Sequence, residues 1–297
     1  MRLKFSAIAF ASTLPLTMKL ATFELDGRLR TAAMHPEGGA VEVTEAGSAI
    51  DILSNTGARA KAEAIFTSAK GRLQNMPNLR APFTPRSFIC IGLNYADHVK
   101  ESGSKVPERP VVFAKFANAL ANPGDTITWY ADASQQVDWE AELGVVIGKP
   151  AYRVSKADAL NYVGGYTCVN DVSARDIQRT DGANQFVMGK TFDGFCPVGQ
   201  FVVTADEVPD PQTLSIKCSV NGRVMQNSNT REMIFDVATL VAHLSKFMTL
   251  MPGDLIATGT PPGVGMGMKP PMFLKDGDEE TVEIEKVGFI TNRCRVL

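Results

Sequence analysis

Val137-Asp138-Trp139-Glu140-Ala141-Glu142-Leu143-Gly144-Val145-Val146-Ile147-Gly148 is an apolar, β-branched run interrupted by two carboxylates two residues apart. The run predicts a buried strand over 141–147. Side chains at i and i+2 share one face of a strand, so Glu140 and Glu142 stand side by side where their neighbours exclude water. Two like charges held together away from water are costly unless a cation compensates them. The pair calls for a metal ion.

Outward from this strand, short strands are predicted over 88–91, 111–113, 126–129, 163–169, 199–203, 214–220, 254–257, 280–284 and 288–296. Glycine and proline turns separate them, and Asn221-Gly222 is a strong hairpin signal. Helices are fewer, at 58–73, 156–160, 173–179 and 235–247. This pattern predicts a mixed, β-rich α+β fold with peripheral helices, its sheet closed or rolled to hide its edges. Three prolines in 75–85 read as a linker. The expected organisation is a small N-terminal α/β domain at 18–80 and a catalytic domain at 86–297. Residues 1–17 stand apart as an extension, read first as a translation-start artefact and second as an organelle-targeting segment.

The chain has 297 residues, 44% apolar and 21% charged, as ordinary soluble enzymes do. A formal net charge of −2 gives no reason to expect nucleic acid or an anionic membrane as partner. No run approaches the ~20 apolar residues of a membrane span. Cys90, Cys168, Cys196, Cys218 and Cys294 are scattered in apolar runs, which reads as reduced thiols in a cytoplasmic-type compartment.

A third carboxylate follows the strand at 163–169. Asp171, Arg175 and Gln178 fall at i, i+4 and i+7, one face of a helix, although Asp171 also suits a helix N-cap. With Glu140 and Glu142 it would complete an all-oxygen set suited to a hard divalent ion, Mg²⁺ first, then Mn²⁺ or Ca²⁺. His98 and Glu101, at i and i+3, would touch across a helical turn. Such a carboxylate fixes the imidazole tautomer and leaves the other nitrogen free to take a proton; a surface ion pair is the bland alternative. Lys190 lies in an apolar run, either snorkelling to the surface or facing a developing oxyanion. The Gly263–Gly267 cluster opens no helix after a βαβ strand, so it is not read as a nucleotide site.

Five segments now combine: Gly92-x-Asn94-Tyr95-x-x-His98-x-x-Glu101, Glu140-x-Glu142-Leu143, Asn170-Asp171-x-Ser173-x-Arg175-Asp176-x-Gln178, Gly189-Lys190-x-Phe192-Asp193 and Thr258-Gly259-Thr260-Pro261. In this order they resemble the fumarylacetoacetate hydrolase family, over 88–297. The resemblance implies Glu140, Glu142 and Asp171 as Mg²⁺ or Mn²⁺ ligands. It implies His98 and Glu101 as a water-activating dyad on a lid, and Lys190 beside the bound substrate. Arg175, Gln178 and Thr260 would contact substrate oxygens. A homodimer is implied as well. The expected activity is hydrolysis of a carbon–carbon bond in a 2,4-dioxo acid, of the acylpyruvate, fumarylpyruvate or 2,4-dioxo-3-deoxy sugar acid type. Oxaloacetate decarboxylation and dienedioate isomerisation use the same enolate chemistry and stay open, as does a non-catalytic metabolite-binding protein. Lys115, Tyr130 and Gln185 are candidates for selecting the substrate's distal group.

Overall fold

A computed structural model describes residues 17–103, 105–180 and 185–297. The extension expected at residues 1–17 therefore lies outside the described residues except for Thr17.

The N-terminal part contributes β1 (Lys19–Leu25), β2 (Arg28–Met34), β3 (Ala40–Glu42), the helices α1 (Ala49–Ser54) and α2 (Thr56–Ser68), and the short β4 (Leu79–Arg80). Then come β5 (Phe88–Gly92), α3 (Ala96–Ser102), β6 (Val111–Lys115), β7 (Leu120–Ala121), β8 (Thr126–Trp129), β9 (Val137–Asp138), β10 (Ala141–Ile147) and β11 (Val163–Asn170). The strand pair partner β12 (Ser173–Ala174), helices α4 (Arg175–Thr180) and α5 (Val187–Lys190), β13 (Cys196–Pro197) and β14 (Val202–Thr204) follow. The chain ends with β15 (Ser215–Val220), β16 (Arg223–Asn229), α6 (Val237–Leu244), β17 (Leu255–Ala257), β18 (Glu279–Ile284) and β19 (Gly288–Val296).

Ten strands form one sheet, in the order β3-β2-β1-β14-β11-β10-β17-β5-β6 with β4 on β1; five form a second, β16-β15-β18-β19-β8. The expected sheet-rich α+β class is what the chain adopts, but neither sheet closes into a barrel: β3 and β6 end the larger one, with β3 carrying a single outer bridge from Ala40 to Leu73. The N-terminal strands extend that same sheet, because β1 pairs with β14.

β10 is buried along its whole length. Its alternation sends Ala141, Leu143, Val145 and Ile147 into one core and Val146 into another. Glu142 and Gly144 share the face of Val146. Gly144 is required there, since a Cβ would stand 2.8 Å from a Val169 methyl and 2.9 Å from a Thr167 methyl.

Three local expectations fail. In place of the helix at 156–160, residues 156–158 form a turn leading into a 3-10 turn at Ala159–Tyr162. Ser173 and Ala174 pair antiparallel with Asp138 and Val137, so the helix predicted from 173 opens only at Arg175. The helix predicted over 58–73 ends at Ser68.

Candidate functional site

Strand topology gathers the site at one end of the larger sheet. β17 runs parallel to β5, with Ala257 opposite Cys90, so the segments after both strands leave at the same end. β10 runs antiparallel to β17, which puts its start there too. Asn94 ties the two exits together: its side-chain N–H groups donate to the carbonyls of Thr258 (2.8 Å) and Phe235 (3.0 Å). On the other side of β10 the ladder with β11 continues past Asn170, where the Asp171 N–H donates to the Glu140 carbonyl at 2.9 Å.

Glu140, Glu142 and Asp171 are thereby brought together, each buried, with ligand oxygens within 4.8 Å of one another. Asp171 occupies neither the helical face nor the N-cap expected of it, because β12 intervenes before α4. Lys190 bridges the group, donating to Glu140 Oε2 (2.6 Å) and Asp171 Oδ2 (2.7 Å). It is 3% exposed, so the snorkelling alternative falls. Arg175 pairs with Glu140 Oε1 at 2.7 Å and, through Nε, with Asp138 at 2.8 Å.

These partners divide the carboxylates electrostatically. Burial raises the Glu140 carboxyl, but Lys190 and Arg175 outweigh it and hold the group well below the usual range. Glu142 goes the other way: burial, then Asp171 and Glu140, push it well up. No ion pair reaches Glu142 among the described residues; it accepts the Gly259 N–H at 2.9 Å. Four buried carboxylates (Asp138, Glu140, Glu142, Asp171) face three buried cations (Lys115, Lys190, Arg175). The surplus negative charge sits on three convergent oxygens with no sulfur or nitrogen among the donors, a set that fits a hard divalent cation.

A cavity of about 560 Å³ opens over this group. Glu140, Glu142, His98, Arg175, Gln178, Lys190 and Thr260 line it, and Ile91, Leu93, Phe113 and Phe186 supply apolar walls. Asp171 lies beneath, fully buried. The expected helical turn is α3, on which His98 Nδ1 lies 3.2 Å from Glu101 Oε2. His98 is buried at 7% exposed while Glu101 is exposed, so the pair spans the edge of the cavity. Glu101 also accepts the Gly263 N–H, at 3.1 and 3.2 Å to its two oxygens. The dyad is thus fastened to the loop after β17, and the other imidazole nitrogen is left for a ligand.

Two buried residues beside the carboxylates differ from the sequence expectation: Lys115 was given another role and Asp138 none. Lys115 does not select a distal group; it is buried and donates to Asp171 Oδ1 and, at 3.0 Å, to the Val172 carbonyl. A lysine closing the apolar strand Val111-Val112-Phe113-Ala114 was the available signal. Tyr130, another distal-group candidate, is 61% exposed and lines no part of this cavity. Asp138 is fully buried and accepts from Arg175, from the N–H groups of Gly265 (2.6 Å) and Met266 (3.0 Å), and from Trp139 N–H (2.9 Å). Asp138→Asn turns one of those acceptors into a donor facing donors and strips Arg175 of its counter-charge. Breaking a buried pair this way should cost about 3–5 kcal/mol, read as a lowered urea midpoint.

A family model described as the C-terminal domain of fumarylacetoacetate (FAA) hydrolase matches residues 87–295. A Bos taurus protein named mitochondrial oxaloacetate tautomerase is 51% identical over 214 residues, 72% of this chain and 68% of its own. Among solved structures, the fumarylacetoacetate hydrolase of Exiguobacterium antarcticum superposes with a TM-score of 0.84 at 38% identity, covering 94% of this chain and all of that one. A 2-hydroxyhepta-2,4-diene-1,7-dioate isomerase from Mycobacterium marinum gives 0.76 at 34% identity, covering 94% and 98%.

Proposed function

The chain belongs to the fumarylacetoacetate hydrolase family, and from that premise we propose that it catalyses keto–enol proton transfer on a 2-oxo acid, with oxaloacetate as the leading substrate. The observation that carries the reading is the convergence, in one cavity, of an under-neutralised carboxylate group with a histidine whose Nδ1 is already engaged by Glu101. The relative named as an oxaloacetate tautomerase supports the choice of substrate.

Glu140, Glu142 and Asp171 would hold Mg²⁺, with Mn²⁺ or Ca²⁺ as substitutes; the ion would supply Lewis-acid polarisation of the acid's carboxylate and 2-oxygen. Arg175, Gln178 and Thr260 take substrate oxygens. His98 moves the proton at C3, its imidazole held in one tautomer by Glu101. The Lys190 ammonium, kept charged by Asp171 and Glu140 against its burial, stabilises negative charge on the 2-oxygen. Ile91, Leu93, Phe113 and Phe186 limit water around C3, and the proton that His98 takes from carbon is returned to the 2-oxygen, so the isomerisation gains and loses none.

Carbon–carbon hydrolysis, toward which the sequence leaned, is the second reading. The His98–Glu101 dyad favours it, since the same imidazole can take a proton from water. The division into a small domain at 18–80 and a catalytic domain at 86–297, and a homodimeric state, belong to the same proposal. The mitochondrial relative supports the targeting reading of residues 1–17.

The test follows the enol absorbance of freshly dissolved oxaloacetate with Mg²⁺, beside an assay of total 2-oxo acid. Tautomerisation predicts faster decay of the enol signal while the 2-oxo acid total stays constant. Cleavage of acylpyruvates without any effect on the enol decay would transfer the assignment to hydrolysis.

A further inference from the structure

We propose that Gln226 is a positioning residue that forces Thr260 to meet the substrate through its main-chain N–H and not its hydroxyl; this rests on the reading of the cavity as a 2-oxo acid site. Gln226 belongs to β16, in the second sheet, and is fully buried. Its Oε1 accepts the Ala141 N–H at 2.9 Å, between the two glutamates. Its Nε2 donates to Thr260 Oγ1 and to the Pro261 carbonyl, both at 2.8 Å. One side chain thus joins the carboxylate-bearing segment to the loop that walls the cavity.

The consequence lies in the hydrogen-bond inventory of Thr260. A hydroxyl has one proton and two lone pairs. The Thr260 proton goes to the Ala141 carbonyl at 2.9 Å, and one lone pair is taken by Gln226. What the hydroxyl has left can only accept, and a substrate carboxylate needs donors. The Thr260 N–H has no partner among the described residues, and Thr260 lines the cavity. It is the donor this residue has to offer.

The loop is pressed onto the same strand. A Cβ on Gly263, whose φ is +98°, would stand 2.1 Å from the Met225 carbonyl oxygen. The backbone of 261–263 therefore has little room to shift while Gln226 holds it, and the spacing between Thr260 and the Glu140–Glu142 pair is set from the second sheet.

The experiment titrates oxalate, which presents the head of a 2-oxo acid, into protein saturated with Mg²⁺. Wild type, Gln226→Glu and Gln226→Leu are compared by calorimetry. Gln226→Glu keeps the acceptor and loses both donors, so oxalate should bind about tenfold more weakly, the loss of roughly one good hydrogen bond. KM for the substrate should rise by about as much, with kcat within about threefold. If Gln226→Leu fails to fold, Gln226→Glu decides alone. A Gln226→Glu protein that binds oxalate like wild type and differs only in melting temperature overturns the proposal, leaving Gln226 a purely structural residue. Failure of wild type itself to bind oxalate would instead overturn the 2-oxo acid reading beneath it.

Discussion

Glu142→Gln is expected to weaken Mg²⁺ binding by at least ~100-fold, beyond the 10–100-fold that loss of an outer-shell partner costs, while the metal-free protein melts at a higher temperature. The two effects have one cause. Glu142 is buried beside Asp171 and Glu140 with no cation paired to it among the described residues, and burial, then those acids, raise its carboxyl. Without the ion its charge is a liability, so an uncharged side chain of the same shape relieves repulsion. With the ion it is a ligand. Glu140→Gln should differ in sign on stability, because Lys190 and Arg175 already pair with Glu140 and would be left uncompensated. Calorimetric Mg²⁺ titration and thermal melts in EDTA measure both quantities. If Glu142→Gln bound Mg²⁺ as tightly as wild type, the ion would belong elsewhere.

His98→Asn should leave Mg²⁺ affinity unchanged and lower kcat by about 10²–10⁴, the range for loss of a positioned acid–base group. His98 touches no carboxylate of the metal group in the hydrogen bonds of the site; its partner is Glu101. Glu101→Gln should cost less, since the Gly263 N–H and the α3 turn still hold the segment. The measurement is steady-state proton transfer on enol oxaloacetate across Mg²⁺ concentrations. A His98→Asn enzyme retaining full rate would remove the imidazole from the chemistry and leave Lys190 as the acid–base group.

The parts of the site legible in sequence were those whose chemistry contradicts their surroundings. Glu142 lies in β10 and Glu140 immediately before it, and their i,i+2 spacing was enough to place them together. The i,i+3 spacing of His98 and Glu101 is a local relation, and α3 realises it. Asp171 does join Glu140 and Glu142, but not by the local route expected of it. Its place beside Glu140 comes from the continued β11 ladder and not from a helix. Nothing local announces a two-residue strand such as Ser173-Ala174, whose partner lies 35 residues earlier at Val137-Asp138. Asp138 and Gln226 were missed, and Lys115 was given the wrong place, because their partners are remote: Lys115 reaches Asp171, 56 positions away, and Gln226 reaches Ala141, 85 away. Sheet closure was expected as a way to hide edges, yet the larger sheet keeps two open ends.

The most direct test of the account is the linkage between ion and ligand, since the buried acids are read as a metal site on which a 2-oxo acid head is held. Oxalate affinity is measured with Mg²⁺ and with EDTA, and Mg²⁺ affinity with and without oxalate. The account predicts that each tightens the other by the same factor, as thermodynamic reciprocity requires, at one site per chain. Oxalate binding equally well in EDTA would contradict it.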